Sequence, residues 1–134
     1  MYSTPSEMLA AYVRAFESLN AEAVVPFYSL PCTFIRPEGV WVVSEEASAL
    51  ALVRHLIDHA KAQRYHRTET SGLTVRSLAP TLAELSGVFI RHDELGSEVG
   101  RFGFTYIGRS DSGTWRIVVA VAHDAAAADV SPAR

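Results

Sequence analysis

The chain has 134 residues, of which 49% are hydrophobic and 20% charged, a composition typical of one globular domain and not of a disordered chain. Its formal net charge of −3 and pI near 5.9 argue against nucleic acid as a partner, because non-specific binding to phosphates needs a basic face. No apolar run is long enough to span a membrane and the N-terminus lacks signal-peptide features, so we expect a cytoplasmic protein.

The chain opens with the signals of two helices. Thr4-Pro5-Ser6-Glu7 is a capping box with proline at the first helical position. The residues that follow at helical spacing form one apolar stripe of Leu9, Tyr12, Val13, Phe16 and Leu19. Asn20 is predicted to end this helix and to cap a short second one over residues 21–25, which Pro26 interrupts.

A hairpin and a longer helix are predicted next. Residues 32–35 and 40–43 form extended runs on either side of the turn Arg36-Pro37-Glu38-Gly39. Cys32 is the only cysteine, which excludes an internal disulfide and a cysteine-based metal cluster. We interpret it as a small buried strand residue, with a lone thiol nucleophile as the alternative. Ser44 is predicted to cap a helix that runs to about Gln63.

Two histidines within that helix have a spacing that metal ligands use. His55 and His59 are four residues apart, but they lie opposite the apolar face of Leu50, Val53 and Ile57. The intervening residues also differ from the zinc-protease pattern. We therefore expect both side chains to be solvated and to bind no metal.

The second half of the chain is predicted to be four strands, at residues 65–78, 81–92, 98–108 and 114–123, separated by turns. Because no helix intervenes, they are expected to pair antiparallel, with the N-terminal helices packed on one face of a bent sheet. Alternation places Trp115, Ile117, Val119 and Val121 on one face of the last strand and Val118, Ala120 and Ala122 on the other. Since both faces are apolar, we expect a homodimer formed through the sheet face. Residues 1–124 form the single domain, and residues 125–134 are expected to be a flexible tail.

The order of these elements resembles the NTF2-like superfamily, and in particular its SnoaL-like (ketosteroid isomerase-like, polyketide cyclase-like) domains. The marks of the resemblance are Tyr12-Val13, Asn20-Ala21-Glu22, Phe27-Tyr28, the turn at residues 36–39 and Gly113-Thr114-Trp115-Arg116-Ile117. The resemblance implies an α+β, cystatin-like cone of helices on a strongly curved antiparallel or mixed sheet, with an apolar pocket at its wide end. That fold hosts isomerases, dehydratases, epoxide hydrolases, cyclases and non-catalytic binding proteins, so it does not choose among them.

The ketosteroid isomerases of this superfamily combine a tyrosine on the first helix, a general-base aspartate before a turn proline and a deeper protonated acid. Tyr12 matches the tyrosine, but Arg36 stands where the base would be and cannot abstract a proton at neutral pH. Phe104 and Thr105 stand near the third position, so the chain is not an isomerase of this kind. Tyr12 and Arg36 remain as a phenol–guanidinium pair suited to a carbonyl, enolate or carboxylate. Alternatively, Arg36 turns outward and pairs with Glu38.

The superfamily's epoxide hydrolases suggest a different set of residues. They use an arginine and an aspartate on one strand with a second aspartate on another, which resembles Arg91 and Asp93 with Asp124. The alternative interpretation is an ion pair at the end of a hairpin.

His123 is a further catalytic candidate, because it ends the otherwise apolar row that begins at Trp115. It is expected either to act as an acid or base near neutral pH or to hold a backbone carbonyl at the strand end.

Two functions stay open at this point. The first is a binding protein for a small hydrophobic molecule with a carbonyl or carboxylate, in a pocket lined by Tyr12, Phe16, Phe34, Arg36 and Trp41. The second is a cofactor-independent enzyme, either an isomerase or cyclase that uses His123, or a hydrolase that uses Arg91, Asp93 and Asp124. Neither function requires a metal or a cofactor.

Overall fold

The computed structural model describes residues 2–125, and it follows the predicted order of helices and strands. The helices are α1 (Pro5–Glu17), α2 (Ala21–Val24), which continues as a single 3-10 turn (Val25–Phe27), and α3 (Glu46–Ala62). The strands are β1 (Tyr28–Arg36), β2 (Gly39–Val43), β3 (Arg67–Ala79), β4 (Leu82–His92), β5 (Glu98–Asp111) and β6 (Thr114–His123). Apart from Ala125, the predicted C-terminal tail lies outside the described residues. Within them, no helix combines the length and the apolar character needed to cross a membrane.

The first two helices begin where their capping residues predict. The Thr4 hydroxyl accepts the backbone N–H of Glu7 at 3.1 Å, and the Asn20 carbonyl oxygen accepts that of Glu22 at 3.0 Å. The predicted Ser44 cap of α3 is wrong. The first carbonyl of that helix belongs to Glu45, which accepts from the N–H of Ala49 at 3.0 Å and makes no side-chain capping bond. Ser44 therefore lies one residue too early for its hydroxyl to reach the orphan N–H groups.

The strands of the described region form one mixed sheet in the order β2-β1-β6-β5-β4-β3. Strands β3 to β6 make the predicted antiparallel meander, and β1 and β2 make the predicted hairpin. The last strand returns beside the first and pairs with it in parallel. The long connection that a parallel pair requires is supplied by α3 and by the four strands β2 to β5. The helices pack on one face of the curved, open sheet. This is the α+β cone that the sequence predicts.

The core lies between the helices and the inner face of the sheet. Its fully buried side chains come from all three helices and from the sheet, and the largest are Met8, Leu9, Leu85, Phe104 and Ile117. Each helix and strand from α1 to α3 contributes buried side chains to one continuous cluster. The residues therefore form a single hydrophobic core of the kind that stabilises small domains.

A β-bulge in β6 changes which residues of that strand face the core. In the pairing with β5, Ile107 opposes Val119 but Gly108 opposes Ile117, so Val118 is an extra residue. Ile117 and Ala120 consequently share the inner face. The predicted row that runs unbroken from Trp115 to His123 is wrong, because the bulge moves Val119, Val121 and His123 to the outer face.

Candidate ligand-binding cavity

A cavity of about 380 Å³ lies between α1, α3 and the inner face of the sheet. Most of its lining is apolar or aromatic, with a few polar side chains at one end. The five residues predicted to line a pocket all line it: Tyr12, Phe16, Phe34, Arg36 and Trp41. This size and chemistry are typical of small-molecule sites.

The aromatic lining converges because of simple local periodicities. Tyr12 and Phe16 are four residues apart on α1, so they lie on one face of the helix and are both buried. Phe34 and Trp41 are register partners across the β1–β2 hairpin, and cross-strand partners share a face of the sheet. Phe34 is buried, whereas Trp41 remains 44% exposed at the open end of the cavity.

Three buried tyrosines form the closed end of the cavity. The hydroxyl oxygens of Tyr12 and Tyr28 lie 2.7 Å apart, and the ring of Tyr106 contacts that of Tyr12 edge-on at 6.0 Å between centroids. Burial raises the pKa of all three phenols above its ordinary value, so they are neutral at physiological pH. The bond between the Tyr12 and Tyr28 hydroxyls uses one of the three phenol protons. At least one O–H is therefore left to donate to another acceptor.

Arg91 reaches the cavity from β4 and lies among aromatic rings. Its guanidinium carbon is 5.4 Å from the ring centroid of Phe16, 5.3 Å from that of Tyr65 and 5.1 Å from that of Phe102. Its Nη1 donates to Oε1 of Gln63 at 3.2 Å. Burial lowers the pKa of Arg91, but a guanidinium stays protonated in proteins. The cavity thus contains a half-buried positive charge.

A second cavity of about 290 Å³ adjoins the first at its polar end, and Arg36, Arg91 and Phe102 line both. Arg36 is exposed, and the ion pairs of residues 2–125 do not include one between Arg36 and Glu38. The alternative in which Arg36 pairs with Glu38 is therefore not the arrangement observed. Both arginines lie at the mouth of the aromatic cavity.

The predicted catalytic pair of Arg91 and Asp93 does not form. The carboxylate of Asp93 accepts the backbone N–H groups of Leu95 and Ser97, at 3.0 and 2.9 Å, and so closes the β4–β5 turn. Strand β4 ends at His92, so the alternation on which the prediction relied does not extend to Asp93. Asp124 is exposed at the second cavity. The three residues expected of an epoxide hydrolase do not come together.

His123 lies on the outer face of the sheet, where the bulge places it. Its Nδ1 is 3.0 Å from the carbonyl oxygen of Asp124 and its Nε2 is 3.1 Å from Oγ1 of Thr105. Its ring covers Gly103 so closely that a Cβ at that position would overlap it. This is the alternative in which the histidine holds a backbone carbonyl. His123 lines the second cavity and not the aromatic one.

His55 and His59 are both exposed on α3, as expected, but they are not remote from the cavities. His55 lines the rim of the aromatic cavity, and His59 lines the second one. Within residues 2–125, no three His, Cys, Asp or Glu side chains are grouped closely enough to hold a metal ion. That this pair binds no metal stays a prediction.

Sequence reasoning missed several residues of the site. Tyr28 and Tyr106 line the cavity, and Gln63 binds the guanidinium of Arg91. The alternation Phe102-x-Phe104-x-Tyr106 would have placed Tyr106 on the aromatic face of β5. The contact between Gln63 and Arg91 joins residues 28 positions apart, and no local pattern predicts it.

Comparison with known proteins agrees with this fold. Residues 5–125 match the model of a family described as NTF2-like protein (DUF6841). No curated protein matches the chain in sequence. An NTF-2 like protein of unknown function from Shewanella oneidensis MR-1 superposes with a TM-score of 0.71 at 13% identity, over 89% of this chain and 95% of that one. An NTF2-like protein with a cystatin-like fold from Novosphingobium aromaticivorans gives 0.69 at 18% identity, over 95% and 81%. At these identities the likeness shows the fold alone.

Proposed function

This chain belongs to the NTF2-like family DUF6841, and from that premise we propose that it binds a small, largely apolar molecule in the aromatic cavity. The observation that carries the proposal is the cavity itself. Its volume of about 380 Å³ suits a molecule of one to three rings, and its walls come from α1, α3 and the sheet. Because these walls belong to regular elements, the site is largely formed before a ligand arrives.

The two ends of the cavity differ in chemistry, which sets how a ligand would lie. The tyrosine end offers a neutral O–H donor from the cluster of Tyr12, Tyr28 and Tyr106, suited to a carbonyl or hydroxyl oxygen. The mouth offers the positive charges of Arg36 and Arg91. Aromatic surface between them supports the apolar body of the ligand.

A second candidate is a cofactor-independent enzyme that acts on a carbonyl compound. The tyrosine cluster favours it, because phenol donors in a dry cavity stabilise an oxyanion as it develops. A proton acceptor near the substrate would also be needed. In the described lining, the carboxylate and imidazole side chains are those of Glu38 and His55, and both are exposed at the rim. The binding function therefore has the stronger support.

Thermal unfolding with neutral aromatic carboxamides of one to three rings tests the binding proposal. A ligand at 100 times its Kd stabilises the folded state by about 2.7 kcal/mol, whatever its chemistry. Ala122→Phe narrows the neck of the cavity, since Ala122 lines both cavities. Ala51→Phe is the matched control, because Ala51 is exposed on α3 and outside both linings.

We expect the carboxamides to stabilise the wild type and Ala51→Phe, and to lose their effect in Ala122→Phe. The absence of stabilisation by every carboxamide and by the matching carboxylic acids would contradict the proposal, as would equal stabilisation of the two variants. Mass spectrometry of compounds that bind distinguishes the two candidates, because an enzyme returns a changed molecule.

A further inference from the structure

We propose that the ligand is an organic carboxylate whose carboxyl group binds the guanidinium of Arg91, with Arg36 beside it at the mouth. This inference rests on the proposed binding function and adds the charge and orientation of the ligand. Arg91 is thereby assigned to ligand binding and not to catalysis with Asp93, because the two side chains do not form a pair.

The surroundings of Arg91 leave most of its hydrogen-bonding capacity unused. A guanidinium has five N–H donors, and among the described residues the bond it makes is to Oε1 of Gln63, at 3.2 Å. The rings of Phe16, Tyr65 and Phe102 stabilise the cation through their π faces but accept little of its hydrogen-bonding potential. The remaining donors are available to an acceptor inside the cavity, which Arg91 lines.

No carboxylate of residues 2–125 forms an ion pair with Arg91. Two nearby acids, Glu17 and Asp93, have other partners. Glu17 accepts the backbone N–H of Thr68 at 2.9 Å, and Asp93 accepts two N–H groups of its turn. A positive charge taken out of water without a counter-ion is unfavourable unless an anion joins it. An anionic ligand would supply that missing partner.

Arg36 strengthens the preference for an anion. It lines both cavities with Arg91. Burial is the main cause of the lowered pKa of Arg91, and repulsion from the guanidinium of Arg36 lowers it further. Glu38 also lines both cavities and is the acidic side chain nearest the pair along β1 and β2, but it forms no ion pair with either arginine. A ligand carboxylate relieves this repulsion and matches the planar fork of a guanidinium with two parallel bonds.

The geometry favours a monoanion with an apolar body. A carboxylate brings one negative charge to the mouth, where Arg36 is solvated and Arg91 half-buried. A phosphate monoester would bring close to two charges next to walls that are aromatic, at a larger desolvation cost. The apolar part of the ligand would then extend between Phe16 and Phe34 toward the tyrosine cluster.

Pairs of acids and carboxamides test this inference, because each pair has the same shape and differs in charge. Benzoic, 2-naphthoic and biphenyl-4-carboxylic acids are titrated with their carboxamides by calorimetry at pH 7. The proteins are the wild type, Arg91→Met and Arg109→Met. Arg109→Met is the matched control, because it removes the same charge from an exposed position on β5 outside both cavities.

We expect the wild type to bind each acid roughly 10 to 100 times more tightly than its carboxamide, as charge-assisted hydrogen bonds imply. Arg91→Met should lose that preference while it keeps its affinity for the carboxamide, which also shows that its cavity is intact. Arg109→Met should behave as the wild type does.

Equal affinities for acid and carboxamide in the wild type would overturn the inference and leave the binding function standing. A preference for acids that persists in Arg91→Met would overturn the assignment to Arg91. Failure of every acid and every carboxamide to bind would contradict the proposed function itself, and this inference with it.

Discussion

The hydroxyl oxygens of Tyr12 and Tyr28 lie 2.7 Å apart in the core and join the first helix to the first strand of the sheet. The ring of Tyr106, in β5, contacts the ring of Tyr12, so the three tyrosines link α1 to both β1 and β5. Burial is the largest cause of the raised pKa of each of these phenols. The cluster is therefore both a structural element and the neutral polar end of the cavity.

The raised pKa values predict a loss of stability at alkaline pH. In the unfolded chain these phenols ionise near their ordinary pKa of 10.0, whereas in the folded protein they keep their protons. The folded state then binds more protons than the unfolded state, so the free energy of unfolding falls as the pH rises above about 10 and is unaffected well below it. Urea unfolding between pH 8 and 11 measures this slope.

Tyr28→Phe should reduce that slope, because it removes one of the phenols that resist ionisation. It should also destabilise the protein near pH 8 by about 1 kcal/mol, since the Tyr12 hydroxyl loses a buried partner. An alkaline slope equal to that of the wild type would show that Tyr28 is not among the groups responsible.

Cys32 is predicted to be inert toward thiol reagents in the folded protein. Its side chain is fully buried, and burial raises the pKa of the thiol to about 12, so little thiolate is present at pH 8. Because it is the only cysteine, its reaction with Ellman's reagent is read without interference. We expect one thiol to react in urea and none on the same timescale without it. Rapid reaction of the folded protein would instead support the thiol-nucleophile alternative.

Arg36 is expected to contribute less to anion binding than Arg91. Its side chain is exposed, so solvent screens its interaction with a ligand. Arg36→Leu should leave folding intact and weaken binding of 2-naphthoate by about threefold to tenfold, a range consistent with an exposed ion pair. Calorimetry measures the change in affinity. Glu38→Gln removes an acid from the rim of the cavity and should strengthen binding of 2-naphthoate. Unchanged affinity in Arg36→Leu would remove Arg36 from the site.

His123 is expected to stabilise the end of β6 and to have no part in ligand binding. His123→Ala removes its contacts with Thr105 and with the carbonyl of Asp124, which should lower the free energy of unfolding by about 1 kcal/mol. Affinity for 2-naphthoate should stay within about twofold of the wild type, since His123 lines the second cavity and not the aromatic one. A tenfold loss of affinity would return His123 to the candidate site.

We expect a homodimer formed through the outer face of the sheet. Register places Val42, Thr33, Val119 and Ile107 in one cross-strand row and Val40, Ile35 and Val121 in the next. Val40 and Val42 are 62% and 65% exposed, so this face presents apolar surface that a second copy would cover. Light scattering at micromolar concentration should give the mass of a dimer. Val42→Glu places a charge on this face and should weaken the dimer.

Leu95→Glu is the control for the dimer, because Leu95 is exposed in the β4–β5 turn and is not part of either row. It should leave the measured mass unchanged. A monomer in the wild type would contradict the expected dimer without affecting the proposed cavity.

The features that sequence alone determined are those whose causes lie within a few residues. The capping bonds of Thr4 and Asn20 each span two or three positions, and Tyr12 and Phe16 share a helix face through a four-residue spacing. The hairpin register that brings Phe34 opposite Trp41 follows from the turn between them. Such local rules are enough to predict the order of elements and part of the aromatic lining of the cavity, while the resemblance to the NTF2-like superfamily implied the cone.

Tertiary structure alone decided that Arg91, Tyr28 and Tyr106 line the aromatic cavity and that Asp93 and His123 do not. Side chains alternate between the two faces of a strand, so the extra residue at Val118 exchanges the faces for the rest of β6. His123 therefore lies on the outer face. The carboxylate of Asp93 accepts a backbone N–H of its own turn. The guanidinium of Arg91 therefore has no carboxylate partner there and lies against aromatic rings from α1, β5 and the segment after α3. The positions of bulges and the partners of a buried charge depend on contacts between residues far apart in the chain, which no local pattern encodes.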